Sequence, residues 1–320
     1  MHSRIDTLLL LALPASGKSE LRRYLASVDD EVAARDFALG PTVQLDDYPY
    51  VHLMRRISQE VQRLGESPVF FASDEEPFLE GRDWSTLIEL VNEDYAALGT
   101  MPPVPVEPTA WLFERFDRAR RVVGIDPPFD YLSEEVLVSV TAALDDEVAE
   151  FARERATTLA AYEPGVSTVL IEFARGGPEG TLPPLPDPHG YGFSLRYLAC
   201  DILRRAAVLH VWVTPQESRR RNLDRAIPGI EGDASILHHG VPEAVMRGDY
   251  GVDDFPWLLE RGGADAIVVE CSDETYRVPA TVFDNRIDRT SFLRADQSQW
   301  DPELVTELHT ALTHAFAQLT

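Results

Sequence analysis

The chain has 320 residues, of which 44% are hydrophobic, and its formal net charge is −25 at pH 7. This length and composition fit a large globular domain, whereas the negative charge disfavours nucleic acids and anionic membranes as partners. Cys200 and Cys271 are too few for a disulfide framework, so we expect a reducing, cytoplasmic setting. No apolar run has the length of a membrane-spanning helix, and Asp6 interrupts the basic leader that a signal peptide would need.

The N-terminal segment predicts a strand, a tight loop and a helix. The apolar run 7–13 is typical of a strand buried on both faces of a parallel sheet, and apolar residues at helical spacing follow in 17–27. Lys18 lies at this junction. It is the only lysine in the chain, and the other 28 of the 29 Lys and Arg residues are arginine. A phosphate-binding loop needs a compact ammonium at this position, where a planar guanidinium does not substitute.

The junction matches the phosphate-loop pattern at all but its first position. The pattern is Gly, four residues, then Gly-Lys-Ser or Gly-Lys-Thr, and Ala12 replaces the first Gly here. The alternative is a strand-to-helix turn without a ligand. We predict that the loop binds the phosphates of ATP and that the Ser19 hydroxyl ligates Mg²⁺. The predicted binding residues are Pro14, Ala15, Ser16, Gly17, Lys18 and Ser19.

Acidic residues end two further predicted strands. Asp46 and Asp47 end a short second strand over 43–46, although a solvated acidic turn is an alternative in so acidic a chain. Glu172 closes the strand 167–173, where a carboxylate near the metal is expected, and Arg175 follows in a Gly-rich loop. A plain strand-end loop is the alternative for that second site.

A mostly helical region of roughly 120 residues separates these two strands. Its best helix runs from 133 to 160 and is interrupted upstream by the Pro-rich segment 101–108. The helix has one apolar stripe, formed by Leu137, Val140, Leu144, Val148 and Phe151.

The C-terminal part alternates helices and strands. We predict a helix over 194–205, a strand over 208–213, a late strand pair over 267–271 and 276–283, and a final helix over 301–319. His210 is expected to be a core histidine. His238 and His239 lack a third ligand at a metal spacing, which excludes a zinc site and leaves their role open.

A helix after the fourth strand concentrates positive charge. Thr214 and Pro215 predict its start, and Glu217 would complete a capping box. Arg221 and Arg225 are four residues apart and share a face of this helix. A solvated face is the alternative, but a basic cluster in so acidic a chain favours an anionic ligand.

Several of these residues resemble one family. Pro14 and Ser16 before Gly17-Lys18-Ser19 look like the loop of P-loop small-molecule kinases, which include adenylate, uridine and polynucleotide kinases and the zeta toxins. The resemblance covers about a third of the chain and does not identify a substrate.

The same resemblance assigns roles to the charged residues. Asp46-Asp47-Tyr48 is similar to an element of uridine-kinase-like enzymes, which implies that Asp46 or Asp47 is the base that acts on the acceptor hydroxyl. Arg221 and Arg225 resemble the lid arginines that clamp the transferring phosphoryl group. Residues 283–286 follow the last strand, where such kinases hold the adenine.

We therefore expect one P-loop domain over residues 1–320, a three-layer α/β/α fold with a parallel sheet. A helical insertion over about 51–164 would cover the acceptor site. The expected function is ATP-dependent, Mg²⁺-assisted phosphorylation of a small molecule that the sequence does not identify. A nucleotide-binding regulatory protein and a P-loop ATPase are the alternatives.

Overall fold

A computed structural model describes residues 4–225 and 240–320 of the protein. Strands and helices alternate along most of the chain. In chain order they are β1 (Thr7–Leu11), α1 (Lys18–Ser27), α2 (Asp30–Asp36), β2 (Thr42–Asp46), α3 (Tyr48–Arg63), α4 (Asp83–Ala96), α5 (Pro108–Val122), α6 (Glu134–Ala160), β3 (Thr168–Phe173), α7 (Gly190–Ser194), α8 (Cys200–Arg205), β4 (Ala206–Trp212), α9 (Pro215–Arg225), α10 (Glu243–Gly248), α11 (Phe255–Arg261), β5 (Ala266–Cys271), β6 (Glu274–Asp284) and α12 (Pro302–Phe316).

The six strands form one sheet in the order β2-β3-β1-β4-β6-β5. β1 pairs in parallel with β3 and β4, β2 pairs in parallel with β3, and β6 pairs in parallel with β4. Only β5 is antiparallel among the described strands, and it pairs with its sequence neighbour β6. The predictions of a largely parallel α/β sheet and of a late strand pair are confirmed.

Helices pack on both faces of the sheet, and the leucines of β1 alternate between the two cores. Leu8 and Leu10 face a core that includes Leu21 of α1 and Leu312 of α12. The intervening residues Leu9 and Leu11 face the opposite core, which α4, α7, α8 and α11 help to form. Burying a leucine side chain contributes about 2 kcal/mol, so β1 is fixed from both sides.

Four helices, α3 to α6, lie between β2 and β3 and enclose a third core. Ser133 caps α6, because its hydroxyl accepts a hydrogen bond from the Val136 N–H at 3.3 Å. Val140, Leu144 and Val148 of the predicted stripe are buried in this core. The remaining stripe residues, Leu137 and Phe151, are partly buried against it.

The predicted continuous helix over 194–205 is wrong. The chain forms α7, a short 3₁₀ turn over Leu195–Tyr197 and then α8. The amide side chain of Asn92 takes two backbone groups in this interval: its nitrogen donates to the Tyr197 carbonyl at 2.8 Å, and its oxygen accepts from the Ala199 N–H at 2.9 Å. A tertiary contact therefore replaces helical hydrogen bonds.

The expectation that Cys200 and Cys271 form no disulfide is also wrong. Cys200, at the start of α8, and Cys271, at the end of β5, form a disulfide with their Cα atoms 5.8 Å apart. They are 71 residues apart in sequence and are joined because β5 lies beside the turn that precedes α8.

No helix in the described parts of the chain is long and apolar enough to cross a membrane.

The final helix begins at Pro302, after Asp301, whose carboxylate accepts from the Glu303 N–H at 2.8 Å. Leu308 and Leu312 of this helix are buried, whereas Leu304 is exposed.

Candidate functional site

The loop between β1 and α1 has a backbone that requires glycine at one position. Ala15 and Gly17 have positive φ angles of 56° and 99°. A Cβ on Gly17 would also collide with the Thr290 hydroxyl and the Asn285 amide nitrogen. Gly17 is therefore fixed both by its left-handed conformation and by the close approach of the segment after β6.

Three side chains hold this loop through its carbonyl groups. The Ser16 hydroxyl donates to the Leu13 carbonyl at 2.6 Å, and Asn285 Nδ2 donates to the Ser16 carbonyl at 2.7 Å. The Ser218 hydroxyl of α9 donates to the Pro14 carbonyl at 2.7 Å. Elements far apart in sequence thus fix the loop while leaving its N–H groups untouched.

The N–H groups of the loop are left for another partner. Those of Ala15, Ser16 and Gly17 donate to no protein acceptor within residues 4–225 and 240–320. Gly17 is the N-cap residue of α1 and supplies no side-chain cap. An uncapped helix N-terminus with free N–H groups attracts an anion through those groups and through the helix dipole.

Lys18 and Glu172 meet beside this loop. Lys18 Nζ lies 3.8 Å from Glu172 Oε1, and Arg22 donates to Glu172 Oε2 at 3.2 Å. The strand register places Glu172 of β3 between Leu10 of β1 and Asp46 of β2. The Lys18 side chain is only 12% exposed, so its charge acts where water screens it weakly.

Asp46 has the environment of a proton acceptor. Burial, followed by the negative charges of Glu172 and Asp47, raises the pKa of Asp46 to about 7, against the opposing effects of the Tyr48 N–H and Lys18. The Tyr48 N–H donates to Asp46 Oδ1 at 2.8 Å. A carboxyl group with a pKa near neutrality is suited to general base catalysis.

Asp47 is held in a different way from its neighbour. Arg175 donates to Asp47 Oδ2 at 2.7 Å, to the Ser194 hydroxyl at 2.9 Å and to the Trp84 carbonyl at 3.1 Å. Its guanidinium also lies 4.5 Å from the centre of the Trp84 ring. Arg175 therefore fixes the loop after β3 to Asp47. We call Lys18, Asp46, Asp47, Glu172 and Arg175 the strand-end cluster.

The structure separates the arginines of α9. Arg221 is buried and donates to Glu217 and to the Asn285 carbonyl, both at 2.7 Å, so it braces the residues that hold the loop. Arg219 pairs with Glu179 at 2.8 Å and is 14% exposed, and its buried NH1 has no hydrogen-bond partner in the described chain. Arg225 ends α9, and its side chain lies outside the described residues.

The predicted capping box forms only in part. The Thr214 hydroxyl accepts from the Glu217 N–H at 3.1 Å. The Glu217 carboxylate does not accept a hydrogen bond from the Thr214 N–H, because Arg220 and Arg221 each donate to it at 2.7 Å. Its role is to orient the helix arginines.

The histidines stay apart from the strand-end cluster where they are described. His210 is fully buried, stacks on Phe255 at 4.3 Å and lies 2.9 Å from Asp253, as expected of a core histidine. His238 and His239 lie outside the described residues. Residues 4–225 and 240–320 contain no group of three or more His, Cys, Asp or Glu side chains placed to hold a metal.

Sequence reasoning missed the residues that reach the site across the fold. Asn285 was noted only for its position after β6, and its bond to the loop depends on β6 lying beside β4. Ser218 is a small polar residue before the arginines, and its spacing on α9 gives no signal for its contact with Pro14.

No protein-family model matches the chain, and comparisons with curated proteins and with solved structures give no match. The function of this site therefore has to be inferred from its own residues.

Proposed function

We propose that the protein is an ATP-dependent kinase that phosphorylates a hydroxyl group of a small molecule. The observation that carries this proposal is the set of unpaired N–H groups at Ala15 to Gly17, directly before Lys18 and within one site with Asp46 and Glu172. Anion donors, a cation and a carboxylate near neutral pKa are the groups that phosphoryl transfer needs.

The strand order supports a P-loop fold of three layers. The loop follows β1, which is central in the order β2-β3-β1-β4-β6. The connection after β1 leads toward β2 at one edge of the sheet, and the connection after β4 leads toward β5 and β6 at the other edge. Ligands of open parallel sheets bind at the carboxyl ends of the strands, where such connections diverge.

The donor set at this edge fits Mg²⁺. Ser19 offers a hydroxyl oxygen, and Glu172 offers carboxylate oxygens at the end of β3, which are the ligands that Mg²⁺ prefers. Mg²⁺ usually keeps several waters and phosphate oxygens, so few protein ligands are required. When bound, it would neutralise charge on the phosphates.

The remaining parts of the transfer are assigned as follows. The loop N–H groups and Lys18 would bind the β- and γ-phosphates. Arg219, which follows the loop-bound Ser218 and has a guanidinium nitrogen without a partner in the described chain, would stabilise charge that develops in the transition state. The acceptor oxygen bonds to the γ-phosphorus as the bond from that phosphorus to the β–γ bridging oxygen breaks. The acceptor proton passes to Asp46, and ADP leaves.

Asp46 is a better base than Asp47 in this scheme. Arg175 occupies Asp47 Oδ2, whereas the high pKa of Asp46 makes it able to take a proton. Arg221 becomes a positioning residue, because Glu217 and the Asn285 carbonyl engage it.

Calorimetry with Mg²⁺ and ATP tests the nucleotide site. Lys18→Ala should remove most of the binding, because it deletes the cation beside the phosphates. Lys18→Arg should also bind ATP weakly, since a guanidinium does not fit the position of the ammonium group. Arg35→Ala, which removes an exposed positive charge, is the control. Equal ATP affinity in Lys18→Ala and the unmodified protein would refute the assignment.

A panel of hydroxylated acceptors separates the kinase from its alternatives. ADP release together with a phosphorylated product identifies a kinase. ADP release that does not depend on any acceptor identifies an ATPase, and firm ATP binding without ADP identifies a regulatory protein. The absence of nucleic-acid and membrane partners stays a prediction. The disulfide disfavours the reducing, cytoplasmic setting that the sequence led us to expect.

A further inference from the structure

Asp249 has a buried carboxylate oxygen, Oδ2, without a hydrogen-bond partner in residues 4–225 and 240–320. Its residue surface is 7% exposed, and Oδ2 is inaccessible and unpaired in the described chain. Burial raises the pKa of Asp249 to about 6, although Arg175 and Arg55 oppose the shift. A buried carboxylate without a partner is costly, and such groups are found where a ligand supplies the missing donor.

The backbone of Asp249 is fixed beside the strand-end cluster. Its N–H donates to the Val245 carbonyl at 2.8 Å. Its carbonyl oxygen lies 2.9 Å from the position that a Cβ on Gly176 would occupy, and Gly177 pairs with Val252 in an antiparallel bridge. The segment that carries Asp249 thus lies against the loop that leaves β3.

The two cations near Asp249 are already engaged elsewhere. Arg175 donates to Asp47, Ser194 and the Trp84 carbonyl. Arg55 of α3 donates to the Asp74 carbonyl at 2.8 Å and lies 4.0 Å from the centre of the Phe71 ring. Both influence Asp249 electrostatically, but neither forms a salt bridge with it in the described chain. The carboxylate is therefore partly neutralised and still lacks a donor.

Neighbouring side chains connect Asp249 to the proposed base. Tyr250 follows Asp249, and its ring lies 5.9 Å from that of Trp84, whose carbonyl accepts a hydrogen bond from Arg175. Arg55 is coupled to Tyr48, which follows Asp46 and Asp47 and is 42% exposed.

We propose that the Asp249 carboxylate binds a second hydroxyl group of the acceptor, and that the acceptor is an uncharged polyhydroxyl compound of the sugar or cyclitol class. This inference rests on the proposed kinase function. Arg55 and Arg175 disfavour a cationic acceptor, and Asp46, Asp47 and Asp249 disfavour an anionic one. A wholly apolar acceptor would leave Asp249 unpaired. A neutral hydroxyl donor satisfies the carboxylate without adding charge.

Binding measured without turnover tests this subsite. Glucose, sorbitol and myo-inositol are titrated at millimolar concentration, each beside a deoxy analogue, by thermal shift and calorimetry with and without ATP and Mg²⁺. Asp249→Asn should weaken binding of the preferred polyol by about 10- to 100-fold, the typical effect of losing a hydrogen bond to a charged group. Asp117→Asn is the control, because it also alters a carboxyl group with a buried unpaired oxygen but lies on α5.

The outcomes separate this inference from the proposed function. Polyol binding that depends on Asp249, without phosphorylated product or ADP, refutes the kinase and keeps the subsite. Product formation that Asp249→Asn leaves unchanged refutes the subsite and keeps the kinase. No polyol binding to the unmodified protein, or polyol binding that Asp249→Asn leaves unchanged, overturns the inference.

Discussion

Two buried groups of charged residues in this protein are balanced in opposite ways. The first, which we call the helical charge cluster, lies among α3 to α6 and comprises Tyr50, Glu93, Asp94, Arg115 and Arg155. Arg115 donates to Glu93 and Tyr50 at 2.8 Å and to Asp94 at 2.9 Å, and Tyr50 and Arg155 also donate to Asp94.

The second group is the strand-end cluster together with Asp249, and it is not internally balanced. In the helical charge cluster, burial works against the charged form of Glu93, but hydrogen bonds from Arg118 and Arg115 outweigh it and lower its pKa. At the strand ends, by contrast, the pKa values of Asp46 and Asp249 are raised. The contrast fits a stabilising role for the first group and supports the proposal that the second group binds a ligand.

Arg115→Ala should have the largest effect on stability. It would leave Asp94 and Glu93 buried without their main partner, and breaking such a buried pair costs about 3–5 kcal/mol. Urea denaturation measures the loss in free energy of unfolding. Arg118→Ala is the matched control, because its exposed guanidinium pairs with the same Glu93; a similar loss in both variants would contradict the comparison.

Asp46→Asn should abolish most phosphoryl transfer while leaving the fold intact. Removing a general base lowers the rate by about 10²- to 10⁴-fold, and ATP affinity should change little because Lys18 and the loop remain. In the unmodified protein the rate should fall as the pH drops below about 7, where Asp46 becomes protonated. Rates and ATP affinity measured across pH test both statements, and a parallel loss of ATP binding would argue for a structural role.

Asp249→Asn should stabilise the fold at neutral pH. The folded-state pKa is raised from 3.8 to about 6, so the folded protein binds this proton more tightly than the unfolded chain. The corresponding stability is present below pH 3.8 and is lost as the pH rises through about 6. The variant avoids that loss and should exceed the unmodified protein by about 1–3 kcal/mol at pH 7, with a small difference near pH 4. Urea denaturation at both pH values measures this, and a pH-independent difference would speak against it.

Arg220→Ala should have the smallest effect. Its side chain is 58% exposed and pairs with Glu217 and Asp224 on the surface of α9, and exposed pairs contribute about 0–1 kcal/mol. The buried Arg221→Ala should cost more and should also weaken ATP binding, because Arg221 braces Asn285. Calorimetry and denaturation of the two variants together check this order.

Local sequence patterns were sufficient to predict the strands and the parallel pairing of most of them, but not the strand order. Continuous apolar runs such as 7–13 can be buried only between two layers, and the alternation of strands and helices then favours parallel pairing. The break before α8 was not predictable in this way, because Asn92 lies more than 100 residues from the carbonyl and N–H that it binds. The disulfide likewise depends on the packing of β5 and not on any spacing.

The candidate site was predictable only where its residues are close in sequence. Gly17, Lys18 and Ser19 form a contiguous motif, and Asp46 and Glu172 end recognisable strands. Arg221 was predicted to contact phosphate but is turned toward Glu217 and Asn285, since a helical spacing shows which face a residue shares but not what that face meets. Asp249 had no sequence signal, because an unpaired carboxylate is recognised only once its surroundings are known.

The disulfide gives the C-terminal half an unusual covalent connectivity. Cys200 and Cys271 close a ring that contains β4, all of α9 with Arg219, and Asp249. A protease that cuts once between these cysteines would therefore release no fragment, because both pieces stay joined through sulfur. On a denaturing gel the nicked chain would separate into two bands only after a thiol reductant is added.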